Sequence, residues 1–514
     1  MPSQDQDKKT SVSSKGISAV FWGGFGSVLR AALQILVQII LARLLGPSEY
    51  GIFAIASIIL SFSKFFSDIG ISYGLIQKKT VSEQDIKFVF TWQVILGAVV
   101  SVAVFFLATP LSAFFKEPRV VPVIQVASVI CFINAISSPS VNLLKRELDF
   151  KSLQGSAVIS YIIGYIFVGI PMALVGLQVW ALIGAFIVSE TTCFLMMYRK
   201  SRHPIGLVLW QRGDNHLVIY GSQVFMTNVL NWIISNVDRV IIGRAFQAVE
   251  VGLYSLSYNL VSNPALTIIG VIQSALFSAS ARVQDDFDRL RKALLTMMGT
   301  ITLVLFPVFA GIAVAANTIL QSLYGNAWLP AAELLQPIAL AMPFYLLLGM
   351  ATPLLWVSGQ TQKEFIIQLP IAFCFVLSAI VAALFSLEAV AWVVFGMYLV
   401  RSAVIVSVTC RALDIGWYRV FRAMRGGLIT TGNTAVLIGV ADLTMRQTTD
   451  SPFLWLAADI AAGALGMLLS LWIFPNLVHR YVAQLFEKVA MRLPERIGEQ
   501  VVRFLYRGQA KRII

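Results

Sequence analysis

The chain has 514 residues, of which 58% are hydrophobic and only 13% are charged. A soluble globular chain carries about 25% charged residues, so this composition excludes a water-soluble protein and implies that most of the surface faces something other than water. The formal net charge is +13.

Apolar runs of about 20 residues recur along the chain, the length that crosses a hydrocarbon layer of about 30 Å. A transmembrane barrel would alternate polar and apolar residues, whereas the run VILGAVVSVAVFFLA at 94–108 does not alternate. We therefore predict an all-α polytopic membrane protein with about 14 transmembrane helices and short loops. The predicted spans are 18–44, 48–76, 87–115, 120–144, 153–176, 178–198, 216–244, 248–280, 293–321, 331–358, 364–386, 388–410, 424–445 and 453–477.

The basic residues fix the orientation of these spans. Of the 39 Lys and Arg, 30 fall in the two tails and the loops after even-numbered spans, and five fall in the loops after odd-numbered spans, when each loop is counted with the span ends that border it. Positive charge accumulates on the cytoplasmic side, so we predict that both termini are cytoplasmic. This distribution also accounts for the net charge without a nucleic-acid partner. The polar N-terminus does not resemble a cleaved signal peptide.

An internal repeat relates the two halves of the chain. LARLLGPSEYGIFAIA (41–56) and IGRAFQAVEVGLYSLS (242–257) align at an offset of 201. Six spans separate the copies, so both halves have the same orientation, as in parallel-repeat transporters. The aligned pairs are Arg43 with Arg244, Glu49 with Glu250, Gly51 with Gly252 and Phe53 with Tyr254.

The repeat predicts two six-helix lobes followed by two extra C-terminal helices. The predicted parts are a cytoplasmic N-terminal tail (1–17), an N-terminal lobe (18–198), a cytoplasmic linker (199–215), a C-terminal lobe (216–410), two additional transmembrane helices (411–478) and a basic amphipathic cytoplasmic tail (479–514).

Polar side chains recur on one face of the first spans of each half. A charge inside the bilayer costs at least about 2.5–3.5 kcal/mol, so it faces a wet cavity or pairs with another group. Arginine offers a planar fork of donors that suits phosphate oxygens, and lysine offers a compact charge; amides suit sugar hydroxyls. The predicted substrate-binding residues are Arg30, Lys64, Asp68, Gln34, Gln38 and Asn231. An alternative is that these residues only hold helices together.

The remaining charged residues in the predicted spans are assigned roles other than substrate binding. We expect Asp238 and Arg239, near the end of their span, to act in gating or in pairing of the lobes. Arg401 lies near a span end and is expected to extend towards water. Glu190 and Asp459 are lone acids that could bind a coupling cation, although a structural hydrogen bond is the safer interpretation.

No catalytic group, metal site or cofactor site is predicted. The four cysteines and three histidines are scattered, and no GxxxxGK[ST] phosphate-binding loop is present. The cysteines are interpreted as small buried residues. A candidate coupling ion is Na⁺ or H⁺.

Three segments carry a family resemblance: ILARLLGPSEYGIFAIASI (40–58), FFSDIGISYGLIQKK (65–79) and LLKRELDFK (143–151). They resemble the bacterial polysaccharide transporter family, which comprises lipopolysaccharide, O-antigen and exopolysaccharide flippases, colanic-acid exporters among them, within the multidrug/oligosaccharidyl-lipid/polysaccharide exporter superfamily. The resemblance implies two lobes around a central cavity. It also implies transfer of an undecaprenyl-diphosphate-linked oligosaccharide across the bacterial inner membrane by ion-gradient-driven alternating access. Implied partners are this lipid-linked substrate, the bilayer, and a polysaccharide polymerase with its export machinery.

Two other functions compete with this interpretation. A multidrug or cation antiporter of the same superfamily would favour a carboxylate-rich cavity, whereas the deeper charges here include Arg30 and Lys64. A membrane saccharide ligase or polymerase would need a substantial external loop, and the predicted external loops are short.

The topology can be tested with reporter fusions. Alkaline phosphatase, which is active only outside the cytoplasm, should be inactive when fused after Thr80 and active when fused after Lys116. The reverse pattern of phosphatase activity would show that the predicted orientation is wrong.

Overall fold

A computed structural model describes residues 3–68, 72, 74–78, 80–209, 216–280, 287–357, 360–473, 481–484 and 487. Every regular element among these residues is a helix. Eleven helical stretches in this part of the chain are long and apolar enough to cross a membrane. The all-α membrane fold is therefore confirmed, and the count of fourteen stays a prediction.

The helices are described in chain order. They are α1 (Ser3–Asp68), α2 (Gly74–Gln77), α3 (Glu83–Phe115), α4 (Val120–Ala127), α5 (Val129–Arg146), α6 (Phe150–Tyr161), a π-helical segment (Ile162–Gly169), α7 (Ile170–Leu174), α8 (Val179–Ser201), α9 (His216–Ala245), α10 (Ala248–Ser280), α11 (Phe287–Thr300), a second π-helical segment (Ile301–Leu305), α12 (Phe306–Val314), α13 (Ala316–Leu323), a 3₁₀ turn (Asn326–Ala331), α14 (Ala332–Val357), α15 (Thr361–Ala383), α16 (Leu387–Ala412), α17 (Trp417–Thr448) and α18 (Pro452–Ile473).

Helix α1 contains two predicted spans with almost no loop between them. At 1.5 Å per residue, a straight helix of 66 residues would be about 100 Å long, far more than a bilayer's thickness. Gly46 interrupts it with φ 75° and ψ 175°, and Pro47 follows. Residues that carry a β-carbon disfavour this positive φ, whereas glycine adopts it freely. A single residue therefore separates the two spans.

Two predicted span ends differ from the helix ends. The second predicted span continues to residue 76, whereas α1 ends at Asp68 and residues 69–71 lie outside the described part of the chain. The ninth predicted span continues to residue 321, but α12 ends at Val314 and a separate short helix, α13, begins at Ala316. An apolar run continues through the break at Ala315, so hydropathy alone does not reveal it.

The chain divides into two compact units, Met1–Leu256 and Ser257–Ile514; the predicted domain boundaries stay predictions. Within the first unit, α1 and α6 run in the same direction, because Gly23 faces Phe150 and Gly26 faces Gln154. Helices α3 and α5 run in opposite directions: a β-carbon on Gly97 would meet Ala135, and Ser101 Oγ donates to the Ser128 carbonyl at 3.0 Å. These relative directions agree with the predicted alternation of the spans.

Two glycines of the repeat make a reciprocal contact in this unit. A β-carbon on Gly51 would lie 1.6 Å from the Ala248 carbonyl oxygen, and one on Gly252 would lie 2.0 Å from the Pro47 carbonyl oxygen. At the offset of 201, Gly252 corresponds to Gly51 and Ala248 to Pro47. In each segment, the residue at the Gly51 position contacts the residue at the Pro47 position of the other segment. A two-fold axis imposes this reciprocal relation.

In the second unit, α17 and α18 form an antiparallel pair. Gly466 lies against Thr434 and Gly463 against Ile438, while Asn433 Nδ2 donates to Ser470 Oγ at 3.2 Å. The outer faces of both helices expose large apolar side chains such as Val436, Leu443, Ile460 and Leu468. An apolar surface of this kind is stable in lipid and not in water.

The predicted amphipathic helix of the C-terminal tail lies outside the described residues. At the start of the tail, residues 481–484 are helical, and Val482 and Ala483 are buried against Leu303.

The reciprocal contact can be tested by adding single methyl groups. Gly252→Ala should lower the thermal midpoint of the detergent-solubilised protein, because its β-carbon would overlap the Pro47 carbonyl; overpacking of this kind costs about 1–3 kcal/mol. Gly270→Ala is the matched control on the same helix, α10, since nothing lies within 4 Å of its added methyl group, and it should stabilise by about 0.5–1 kcal/mol. Equal midpoints for the two variants would contradict the contact.

Candidate functional site

The candidate site lies in the first unit and begins with Arg30 on α1. The side chain is half-buried, and its Nε atom is fully buried with no hydrogen-bond partner among the described residues. Tyr161 and Tyr165 lie within electrostatic range of its guanidinium. An arginine that keeps unused donors in a partly buried position is suited to receive an anion.

Two further charges share this region. Lys64, on the second half of α1, is exposed, and Glu190, on α8, is half-buried. The thiol of Cys193 is within electrostatic range of Arg30, Lys64 and Glu190 at once. The structure therefore brings together three charges that are far apart in the sequence, and their sum is positive.

These charges do not neutralise one another by direct contact. Neither Arg30 nor Glu190 forms an ion pair within 4.0 Å or a hydrogen bond with another described residue. The expectation that Glu190 makes a structural hydrogen bond is thus wrong for the part of the chain that the structure describes. Because Glu190 looks like a lone acid in the sequence, only the packing of α8 against the other helices reveals its neighbours.

Aromatic rings border the positive region. The rings of Tyr161 and Tyr165 stack with centroids 4.4 Å apart, and they straddle the start of the π-helical segment. Such segments are rare and are frequent at functional sites. Gly164 allows close approach to α8, since its β-carbon would lie 2.5 Å from the Ala185 carbonyl oxygen. Polar tips on apolar rings beside a few charges are typical of a ligand-binding pocket.

The other predicted binding residues are placed as follows. Gln34 and Gln38 are half-buried on α1, and Asn231 is exposed on α9. Beside Asn231, the Trp232 indole donates to Ser61 Oγ at 3.0 Å, which ties α9 to the helix that carries Lys64. The Asp68 side chain lies outside the described part of the structure. The roles of all these residues stay predictions.

Asp238 and Arg239 lie further along α9. The Asp238 side chain is buried and accepts a hydrogen bond from Tyr254 Oη at 2.5 Å, and Arg239 is within electrostatic range of it. Tyr254 belongs to the repeated segment, so this buried bond fixes α9 to α10. The gating role of the pair stays a prediction.

The second unit has a polar cluster that the sequence did not indicate. Arg401 on α16 donates to Gln368 Oε1, and Gln368 donates to Glu364 on the same helix, α15. Tyr258 and Tyr398 join it through their hydroxyls, 3.1 Å apart. The expectation that Arg401 extends towards water is therefore wrong: it is held inside the unit by an amide.

Outside the spans, an ion-pair network holds the turn between α3 and α4. Arg119 donates to Glu117 at 2.9 Å and lies 4.0 Å from Glu49. The hydrogen bond from Arg119 lowers the pKa of the Glu117 carboxyl below its ordinary value. Glu49 also accepts from the Val179 backbone N–H at 2.9 Å, so it caps the first turn of α8 and fixes that helix to α1.

The comparisons with known proteins agree with this architecture. The model of a family described as polysaccharide biosynthesis protein matches residues 40–333. The chain belongs to this family. The resemblance detected in the sequence is thus confirmed.

Three proteins illustrate the family and the fold. The lipopolysaccharide biosynthesis protein WzxC of Escherichia coli K12 is 24% identical over 64% of this chain and 68% of its own length. The teichuronic acid biosynthesis protein TuaB of Bacillus subtilis is 22% identical over 88% of this chain and 95% of its own. Among solved structures, the lipid II flippase MurJ in an inward closed conformation superposes with a TM-score of 0.66 at 15% identity, over 90% of this chain and 99% of its own. At this identity the superposition establishes the fold alone.

No group of His, Cys, Asp and Glu side chains among the described residues could hold a metal ion. As a member of a polysaccharide biosynthesis family with a flippase-like fold, the chain is a multi-pass membrane protein whose intramembrane charges are its most distinctive chemical feature.

Cys193 offers a direct test of the local charge. In a variant with Cys131, Cys374 and Cys410 changed to Ser, an anionic methanethiosulfonate should modify Cys193 faster than a cationic reagent of similar size, after correction for their rates with a free thiol. The expected preference is on the order of tenfold, the lower range for charge steering. Lys64→Gln should reduce it. A preference for the cationic reagent would show a negative site, as a drug-cation antiporter requires.

Proposed function

We propose that the chain is a flippase that moves an undecaprenyl-diphosphate-linked oligosaccharide across the bacterial inner membrane for polysaccharide export. The observation that carries this proposal is the positive cluster formed by Arg30 and Lys64, with Glu190 nearby and no direct ion pair between them. The family and the named relatives, which act in lipopolysaccharide and teichuronic acid biosynthesis, support the substrate class.

The physical reason is the cost of moving a diphosphate through a low-dielectric layer. A lipid diphosphate brings about two negative charges, and an unpaired ion away from water is very costly. Arg30 would bind the diphosphate through its unused donors, and Lys64 would supply a second cation, positioned by Asp68 four residues on. Few strong contacts are expected, because a transporter must also release its cargo.

The remaining residues fit a saccharide. The amides of Gln34, Gln38 and Asn231 can donate and accept, as sugar hydroxyls require. The stacked Tyr161 and Tyr165 offer apolar faces with polar tips. Asp238 and Arg239 would act on the opening and closing of the outer side. Transport would proceed by alternating access driven by an ion gradient, with a polysaccharide polymerase and export machinery receiving the product.

The competing functions receive less support. A multidrug antiporter for cationic drugs would need a negative cavity, whereas two of the three charged groups within electrostatic range of Cys193 are the cations Arg30 and Lys64. A saccharide ligase or polymerase would need a catalytic cluster outside the bilayer, whereas the charged pair Glu117 and Arg119 at the turn between α3 and α4 is engaged in a direct ion pair.

The proposal is tested by changing the charge and the shape of Arg30 separately. Arg30→Ala should reduce glycan export at least tenfold in cells that depend on this chain, and Arg30→Lys should retain part of it, because the charge remains although the planar fork is lost. Surface glycan and the amount of membrane-inserted protein are measured together.

Arg419→Ala is the matched control, since Arg419 is exposed on α17 and should leave export unchanged. Normal export by Arg30→Ala would refute the assignment and would leave helix packing as the reason for this arginine.

A further inference from the structure

Asp459 is a buried acid that the proposed substrate site does not use. It lies on α18, seven residues after Pro452, which corresponds to about 10 Å along the helix axis. The residue is 3% exposed, and neither carboxylate oxygen has a hydrogen-bond partner among the described residues. The structural hydrogen bond expected from the sequence is therefore absent in this part of the chain.

Among the described residues, the charged groups that face Asp459 come from one neighbouring helix. The antiparallel register that places Gly463 beside Ile438 and Trp455 beside Arg446 places Asp459 beside Asp442 on α17. Asp442 and Arg446 are both within electrostatic range of Asp459. Helices α12 and α13, which also pack on α18, carry no titratable side chain, and the helical stretch 481–484, which packs against Leu471 twelve residues further along α18, contributes Tyr481.

Asp442 and Arg446 are already engaged with each other. Arg446 Nε donates to Asp442 at 2.9 Å. Thr318 on α13 donates to the other oxygen of Asp442 and accepts from Arg446 at 2.8 Å. The single cation therefore neutralises Asp442, and Asp459 is left as the second acid of the group.

A buried carboxylate with no donor and a like charge beside it favours its neutral form, because desolvation and repulsion both oppose ionisation. A hard metal cation would need several oxygen ligands, but Asp459 offers one carboxylate, and the oxygens of Asp442 are occupied. A proton needs only one oxygen and removes the charge entirely. The chemistry of this site therefore selects a proton over a metal ion.

We propose that Asp459 is a proton-binding site between α17 and α18 and that it supplies the coupling ion for transport. The coupling role of Asp459 rests on the proposed function. The side of the membrane from which the proton comes rests on the predicted topology. In that topology the loop between α17 and α18 is external, so the outer solution would supply the proton. Arg446 lies between the surface and Asp459, since its side chain is one-third exposed while it bonds to the half-buried Asp442.

The proton site is tested first without any substrate. Infrared spectra of the purified, reconstituted protein should contain a protonated-carboxyl C=O band at neutral pH that Asp459→Asn removes. Raising the pH should convert this band into a carboxylate band. Asp450→Asn is the matched control, because Asp450 is exposed in the loop before α18 and should remove only a carboxylate band. If Asp459→Asn also removes a carboxylate band at neutral pH, and no protonated one, the proposal is overturned.

The coupling role is tested next in cells that depend on this chain for surface glycan. Asp459→Asn, which is uncharged at every pH, should reduce export at least tenfold while the amount of inserted protein is unchanged, and Asp459→Glu should restore part of it. Asp459→Asn that exports normally, with the same sensitivity to a proton ionophore as the wild type, would overturn the coupling role. Absence of glycan export by the wild type would instead refute the proposed function, and the infrared titration would still decide the proton site.

Discussion

Burying an ionised side chain among transmembrane helices costs free energy. Each such side chain therefore either pairs with a neighbouring group or stays available to a ligand. Arg401 is held by the Gln368 amide, and Arg446 is held by Asp442 and Thr318. Arg30 and Glu190 are left without a direct partner among the described residues. Where the protein satisfies a charge, that charge stabilises helix packing; where it does not, the charge remains available to a ligand.

The charged groups of the two units differ in the ligand that they suit. In the first unit Arg30, Lys64 and Glu190 lie within electrostatic range of Cys193, and the two cations suit an anionic headgroup. In the second unit the buried carboxyl of Asp459 has no hydrogen-bond partner among the described residues, which suits a proton. A carrier that moves a costly anion with the help of an ion gradient needs both kinds of site, and they need not be adjacent if one conformational equilibrium responds to both.

The sequence predicted the class of fold well, because hydropathy and the placement of Lys and Arg are summed over long stretches. Local breaks were harder to predict: the spans on either side of Gly46 were separated correctly, but Ala315 interrupts the ninth predicted span although the apolar pattern continues through it. Arg30 and Lys64 were predicted as site residues because a charge in an apolar run is conspicuous, and their role stays a prediction. The neighbours of Glu190 and the amide that holds Arg401 lie on other helices, so helical periodicity gave no signal for them.

The reciprocal contact of Gly51 and Gly252 has a mechanical consequence. Helices usually pack with side chains interdigitated, so turning one against the other requires the ridges of each to climb out of the grooves of its neighbour. At this contact the touching atoms belong to the backbone, since each glycine faces a carbonyl oxygen. No side-chain ridges would have to disengage at this contact if one helix turned against the other, and the separation of the two helix ends is set by backbone atoms alone.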